Sequence, residues 1–248
     1  LMVGAFLTWM ATTQFGISPL LMIPVAFALL MGAGLAVHRL VFRRLTRTSP
    51  NLDVFEARGL MVSFGLMFLV QNFAQLLWGG DLRGYDFLTE PVAIGSAQFA
   101  ANKLLLLALA LAFSAALIVT LKKTLYGKGV RALMQSPTGA QLVGIDTERL
   151  HPLMFGVGLG LSGVAGCLLS MTYTISPSMG EPYTVTALIV ITLGGFGSMS
   201  GALVGGLALG VIEAVGMHFT SPSLKSLLSY GIFIAVLLWR PNGLFARK

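Results

Sequence analysis

The residues whose type and spacing could do chemistry in this sequence are few, and each sits in or beside a long apolar run. Glu213 lies within such a run, where an ionised carboxylate is expensive and by default points to a cavity or a partner. Gln71, Asn72 and Gln75 cluster near the end of another. Gly194, Gly195, Gly197, Ser198 and Gly201 interrupt a third, and backbone groups freed at membrane depth must line a cavity or be covered by protein. Together these groups are candidates for lining the path of a polar solute. The alternatives stay open: the glycine stretch also reads as a plain turn on the inner side, and Glu213 as a group reaching the interface. Bond-making chemistry has no candidate constellation. His38, His151 and His218 are far apart in sequence, Cys167 is the single cysteine, and no HExxH, CxxC, GxSxG or phosphate-cradling G-x-x-x-x-G-K-[ST] pattern occurs. The expectation is a protein that is not an enzyme and binds no cofactor or metal itself. If ATP drives it, another chain must bind the nucleotide.

The elements that position these residues are membrane spans. Of 248 residues 56% are hydrophobic and 10% charged, against about 25% charged in an ordinary soluble domain, which rules out a soluble globular enzyme. Crossing about 30 Å of hydrocarbon takes about 20 mostly apolar residues at 1.5 Å each. Runs near that length are 17–38, 59–78, 103–121, 152–173 and 225–240, the last short but flanked by Lys225 and Arg240, which can snorkel to the headgroups. Residues 182–217 form a sixth apolar region that reads as two segments, the first too short to span untilted. Residues 1–11 are apolar without the basic leader of a secretory signal, and read as the end of a helix already under way. Cys167, inside an apolar run, reads as a packing residue.

Charge gives sidedness. Arg39, Arg43, Arg44, Arg47 and Arg58, then Lys122, Lys123, Lys128, Arg131 and Arg149, then Arg240, Arg247 and Lys248 fall in alternate connections and in the tail, and this side is expected inside. The other connections hold Arg83, Lys103 and Lys225, with Asp81, Asp86 and Glu90 in 79–103. The net charge of +7 is thus a property of loops beside a bilayer and predicts no nucleic-acid partner. The inside connection 122–151 carries helix signals of its own. Ser136 can cap a helix with Pro137 at its first position and Gly144 at its C-terminal end, giving a short helix of 137–143 outside the bilayer, and Asp146 offers a second cap before Pro152. A plain basic connector held near anionic headgroups is the alternative. Three G-x-x-x-G pairs, Gly156 with Gly160, Gly201 with Gly205 and Gly206 with Gly210, place absent side chains on one helix face and predict close helix packing.

The stretch RALMQSPTGAQLVGI at 131–145 resembles the inside loop of permeases of the branched-chain amino acid ABC importers, the LivH/LivM type, and is closer to LivH. TLGGFGSMSGALVGGLALGVIEA at 192–214 and RPNGLF at 240–245 are similar to the same family, in the same order. The resemblance implies an all-α polytopic transmembrane bundle, one permease domain over 1–248, with a broken or re-entrant hairpin and a short cytoplasmic coupling helix in 122–151. It implies contact with cytoplasmic ABC ATPase subunits through Arg131, Ala132, Ala140, Leu142, Gly144 and Ile145, with Ser136 and Gly139 in the same stretch. ATP and Mg would then sit on the ATPase. A second permease subunit, identical or sister, and a periplasmic or extracellular solute-binding protein complete the implied complex, in the inner membrane of a bacterial-type cell. Family members carry further helices before the point corresponding to Leu1, so the resemblance implies an N-terminally truncated sequence. It leaves the solute open among branched-chain amino acids, urea, amides, monosaccharides and nucleosides. From other classes, a non-transporting scaffold or remnant and an ion-driven carrier remain as readings.

Overall fold

The computed structural model describes residues 1–48, 51–94, 97–195, 197–219, 230–231, 233–236 and 238. Helix α1 (Met2–Phe15) stops at Gly16, whose φ of 63° is left-handed and cannot continue the helix. Helix α2 (Pro19–Val37) opens on a proline, which loses nothing at a position whose N–H is unpaired anyway. It runs through a π-helical turn (His38–Phe42) into α3 (Arg43–Thr48). Then come α4 (Leu52–Trp78), a two-stranded antiparallel hairpin of β1 (Pro91–Ile94) and β2 (Ala97–Ala100), and α5 (Ala101–Lys123). Helices α6 (Leu125–Gln135), α7 (Pro137–Leu142), α8 (Thr147–Ser170), α9 (Gly180–Gly194) and α10 (Met199–Phe219) complete the described fold.

Five helices among the described residues are long and apolar enough to cross a membrane: Pro19–Thr46, Val54–Trp78, Ala101–Lys123, Thr147–Ser170 and Met199–Gly216. The architecture is all-α and polytopic, as the composition and the resemblance imply. The expected span 225–240 and the RPNGLF stretch fall largely outside the described residues. The 182–217 region is two helices, as read, and α9, with 15 residues, rises only about 22 Å at 1.5 Å per residue.

The helix ends differ from the sequence boundaries in one consistent way. The helix of the first span continues past Val37 through Arg39, Arg43 and Arg44 to Thr48, α5 includes Lys122 and Lys123, and α8 begins at Thr147 rather than near Pro152. Lys, Arg and Glu are good helix formers. A charge therefore marks where a helix leaves the hydrocarbon, not where it ends. The connection 79–103 holds the β1–β2 hairpin and the start of α5.

The chain forms two compact units. One comprises Leu1–Phe113 and Gln135–Met179, the other Ser114–Met134 and Gly180–Lys248. In the first, α8 packs on α1 and α2 through a glycine stripe. A side chain at Gly156 would stand 3.0 Å from the Met31 carbonyl, one at Gly160 would meet the Phe27 ring at 2.9 Å, and Leu30 already fills the space at Gly163. Gly34 of α2 returns the fit against the Gly156 Cα at 2.8 Å, and Gly4 of α1 abuts the Gly163 carbonyl. Ile23, Ala26, Val164, Leu168, Met171 and a fully buried Cys167 fill the seam beside it. Lipid tails are as apolar as these side chains, so helix association here rests on close van der Waals contact, and absent side chains are what permit it.

In the second unit α9 and α10 are antiparallel. Gly201 abuts the Gly194 carbonyl, and a side chain at Gly205 would meet Leu193 at 2.9 Å. The third expected pair behaves differently. Gly206 makes only ordinary contact with Val190 at 3.6 Å, and nothing described lies within 4 Å of a side chain placed at Gly210. Among the described residues this G-x-x-x-G pair gives no close backbone approach, only an ordinary contact with α9 at Gly206.

Gly160→Val forces a branched side chain into the Phe27 contact and is expected to cost about 2 kcal/mol of stability. Gly158→Val places the same group on the same helix where nothing lies within 4 Å, and is expected to cost less. Thermal unfolding of the two variants in detergent checks this; equal midpoints would contradict the packing account.

Candidate functional site

The connection from α5 to α8 is built from local signals. Thr124 follows the last residue of α5, and its Oγ1 accepts the Gly127 N–H at 3.1 Å, capping α6. Gly127 is required there because a side chain would run into the backbone of Leu121. Helix α6 is amphipathic, with Gly127, Val130 and Leu133 buried and Lys128 and Arg131 exposed. The Arg131 guanidinium donates to the Lys122 carbonyl at 3.4 Å, near the C-terminus of α5, where a cation is favoured by the helix dipole. This helix was not foreseen from sequence: Gly127 and Gly129 obscure its periodicity.

A single residue, Ser136, joins α6 to α7. Its Oγ accepts the Gly139 N–H at 3.0 Å and Pro137 occupies the first turn, as the sequence predicts. At the other end Gly144 takes φ 80°, its N–H bonding the Gln141 carbonyl at 3.0 Å, while the Ile145 N–H bonds the Ala140 carbonyl at 3.0 Å. These two bonds form a Schellman motif and satisfy carbonyls that the helix end would leave open. The helix ends at Leu142, one residue short of the expected boundary. Asp146 then caps α8, accepting the Arg149 N–H at 3.1 Å and pairing with its guanidinium at 2.8 Å. Gln141 Nε2 donates to Thr147 Oγ1 at 3.0 Å, tying α7 to the first turn of α8, and Arg43 pairs with Glu148 at 3.1 Å. Residues 43–48 and 147–150 thus share one end of the first unit.

Of the residues expected to couple to an ATPase, Arg131 and Ala132 belong to the second compact unit and Ser136, Gly139, Ala140, Leu142, Gly144 and Ile145 to the first. Arg131 and Ala132 lie on α6, Ser136 at the junction, Gly139, Ala140 and Leu142 on α7, and Gly144 and Ile145 in the closing turn. Ala140 is buried, whereas Leu142 and Val143 are 84% and 75% exposed. Outside a membrane, two such apolar side chains side by side on a rigid turn are suited to a protein partner.

The candidate path residues divide between the units. On α4, Gln71 is half-buried, Asn72 and Gln75 are exposed, and Asn72 Nδ2 donates to the Phe68 carbonyl at 2.8 Å. In the other unit, Gly195 and Gly197 take φ 84° and 82°, and the Ser198 N–H bonds the Gly195 carbonyl at 3.2 Å. Ser198 Oγ accepts the Gly201 N–H at 3.1 Å, so these residues form the tight turn between α9 and α10 and the cap of α10. Glu213 is half-buried on α10.

At the end of the first unit opposite Arg43 and Glu148, sequence reasoning missed a second cluster. Arg83 pairs with Ile175 through both backbone bonds, at 2.9 and 2.7 Å. Its guanidinium lies 4.3 Å over the Trp9 ring and donates to the carbonyl of Trp78, the last residue of α4. Trp78 stacks on Phe6 at 4.9 Å. Tyr85 bonds Ser170 at 2.9 Å, and burial pushes its phenol up to about 12, which keeps the hydroxyl protonated at neutral pH. One arginine in an acidic loop, with tryptophans at the ends of two apolar runs, was the available signal.

A family model described as branched-chain amino acid transport system / permease component matches residues 1–237. The chain belongs to this permease family. Among its relatives, the high-affinity branched-chain amino acid transport system permease protein LivH of Salmonella typhimurium is 30% identical over 86% of this chain and 70% of its own length. The corresponding BraD protein of Pseudomonas aeruginosa is 27% identical over 99% of this chain and 83% of its own. The ribose import permease RbsC of Bacillus subtilis is 31% identical, but over 49% of this chain and 41% of its own. No solved structure gives a significant match. The family accounts for the succession of apolar helices and makes this a multi-pass membrane protein of transport type.

In this permease, Ser136→Ala removes the cap of α7 and is expected to cost about 1 kcal/mol locally, whereas Ser136→Asp keeps an acceptor. Amide exchange should quicken over 139–145 in the alanine variant and stay slow in the aspartate variant. Equal protection in both would mean that the cap does not hold α7.

Proposed function

We propose that this chain is the membrane-spanning subunit of an ATP-binding-cassette importer that moves branched-chain amino acids, or a similar small polar solute, across the inner membrane. The observation that carries the reading is α7, a helix of six residues held at both ends, with Leu142 and Val143 exposed at its C-terminal turn. A helix that short has no stability of its own in water. Its capping and its tie to Thr147 make sense for a part that receives force from a partner and delivers it to α8.

In this reading the ATPase subunits hold ATP and Mg and seat α7. A second permease subunit, identical or sister, completes the path, and an outer binding protein delivers solute to the side carrying Arg83 and the β1–β2 hairpin. Gln71, Asn72 and Gln75 in the first unit, and Glu213 in the second, are each candidates for contact with the solute. The extent of similarity to LivH and BraD favours an amino acid over a sugar, since the likeness to the ribose permease covers only half of the chain.

The test is co-purification. Leu142→Asp and Val143→Asp put charge on the docking face without touching the bonds of the caps. Each is expected to reduce recovery of the co-expressed ATPase at least tenfold, the effect of about 1.4 kcal/mol of lost affinity, while membrane insertion is unchanged. Full recovery of the ATPase with both variants would overturn the assignment of α7.

A further inference from the structure

Among the described residues, the buried side-chain atoms without a hydrogen-bond partner are His38 Nδ1, Arg83 Nε, Asn102 Oδ1 and Thr172 Oγ1. The last two belong to one place in the first unit. Asn102 Nδ2 donates to the Met171 carbonyl at 3.1 Å, so Asn102 Oδ1 and Thr172 Oγ1 flank the same peptide group, at the turn where α8 ends. We propose that Asn102 and Thr172 form a subsite that takes the ammonium group of the solute on the outer side of the first unit. The inference rests on the reading of this chain as an amino acid importer and names residues that its solute touches.

Both sides of this subsite are fixed by the fold. Asn102, the second residue of α5, is 6% exposed, and its backbone N–H bonds the Leu88 carbonyl at 3.0 Å. The turn that carries Thr172 is gripped by the connection 79–103 before and after it, through Tyr85 on Ser170 and the Arg83 backbone on Ile175. A buried acceptor left without a partner is costly, and native structures keep few of them. Two at one rigid turn point to a ligand that pairs them.

Their chemistry selects the ligand. Asn102 Oδ1 can only accept, with two lone pairs, and Thr172 Oγ1 offers two more. The complementary group is a donor with several N–H bonds, which an ammonium supplies and a carboxylate does not. The surrounding charge has the matching sign. Asp81, Asp86 and Glu90 are exposed in the connection that grips the turn, while the Arg83 guanidinium is engaged by the Trp9 ring and the Trp78 carbonyl. Lys103 follows Asn102 but is exposed, on another face of α5. Leu106, one turn on from Asn102, and Phe87, next to Leu88, pack against the apolar cluster that contains Met171. The polar pair is thus bordered by apolar side chains, the setting that a solute with an ammonium group and an aliphatic end requires.

Thr172→Val is the informative change, because the hydroxyl it removes bonds nothing among the described residues, and a purely structural role predicts no loss. The variants are measured in the full chain with its ATPase, permease and binding-protein partners in proteoliposomes. Thr172→Val is expected to lower radiolabelled leucine uptake about tenfold, the scale of one hydrogen bond to a charged group, with its unfolding midpoint unchanged. Thr172→Ser, which keeps the hydroxyl, should retain uptake. Unchanged uptake in Thr172→Val would overturn the proposal. A lowered midpoint with uptake per folded complex intact would also overturn it, since the pair would then hold an internal water only. Thr172→Cys tests the ligand class: leucine should slow its alkylation, with the fully buried Cys167 giving no background, and isocaproate, the same skeleton without the ammonium, should not. Equal protection by both would overturn the ammonium assignment. Failure of the unaltered complex to take up leucine would refute the importer reading itself, and this inference with it.

Discussion

Close backbone approach along glycine faces is the constraint on which the rest of this structure depends. Within a bilayer no gain from water exclusion separates a packed helix from a lipid-facing one, so contact distance decides which helices associate. Gly156, Gly160 and Gly163 bring α8 against α2, and Gly4 brings α1 against α8 at Gly163. Gly194, Gly201 and Gly205 do the same for the α9–α10 hairpin. Each contact is dominated by backbone on at least one side, so it has little room to deform and acts as a rigid bearing.

The soluble segment derives its precision from these bearings. Helix α8 is fixed along its length by its glycine stripe, and its first turn is fixed by Asp146. Only the Gly144 turn and Ile145 separate that cap from α7, so the exposed Leu142 and Val143 are placed by a chain of short, satisfied hydrogen bonds. On its other side α7 is joined through Ser136 and Gln135 to α6.

Much of this was legible in the sequence, for identifiable reasons. Spans are read from run length because the bilayer sets it, and α7 was read from Ser136, Pro137 and Gly144 because caps act locally. The parts not legible depend on geometry several residues away. Charged residues at 39–48 and 147–151 end the apolar signal without ending the helix. Helix α6 is hidden by Gly127, whose purpose appears only when Leu121 is seen across the turn. The pairs Gly201 with Gly205 and Gly206 with Gly210 are indistinguishable by spacing, yet only the first meets a partner helix closely. Arg83 enters the sequence reading only as one charge of an outer connection, and its place between Trp9 and the Trp78 carbonyl is visible in the structure alone. The expected span 225–240 lies largely beyond the described residues.

The central claim is ATP-driven movement of a small amino acid through this permease, and its most direct measurement is leucine uptake into proteoliposomes. The vesicles would hold the chain with its ATPase and permease partners, ATP enclosed and binding protein outside. The account predicts accumulation that requires both the enclosed ATP and the binding protein. No accumulation with both present, or accumulation that proceeds without ATP and follows an imposed ion gradient, would contradict it.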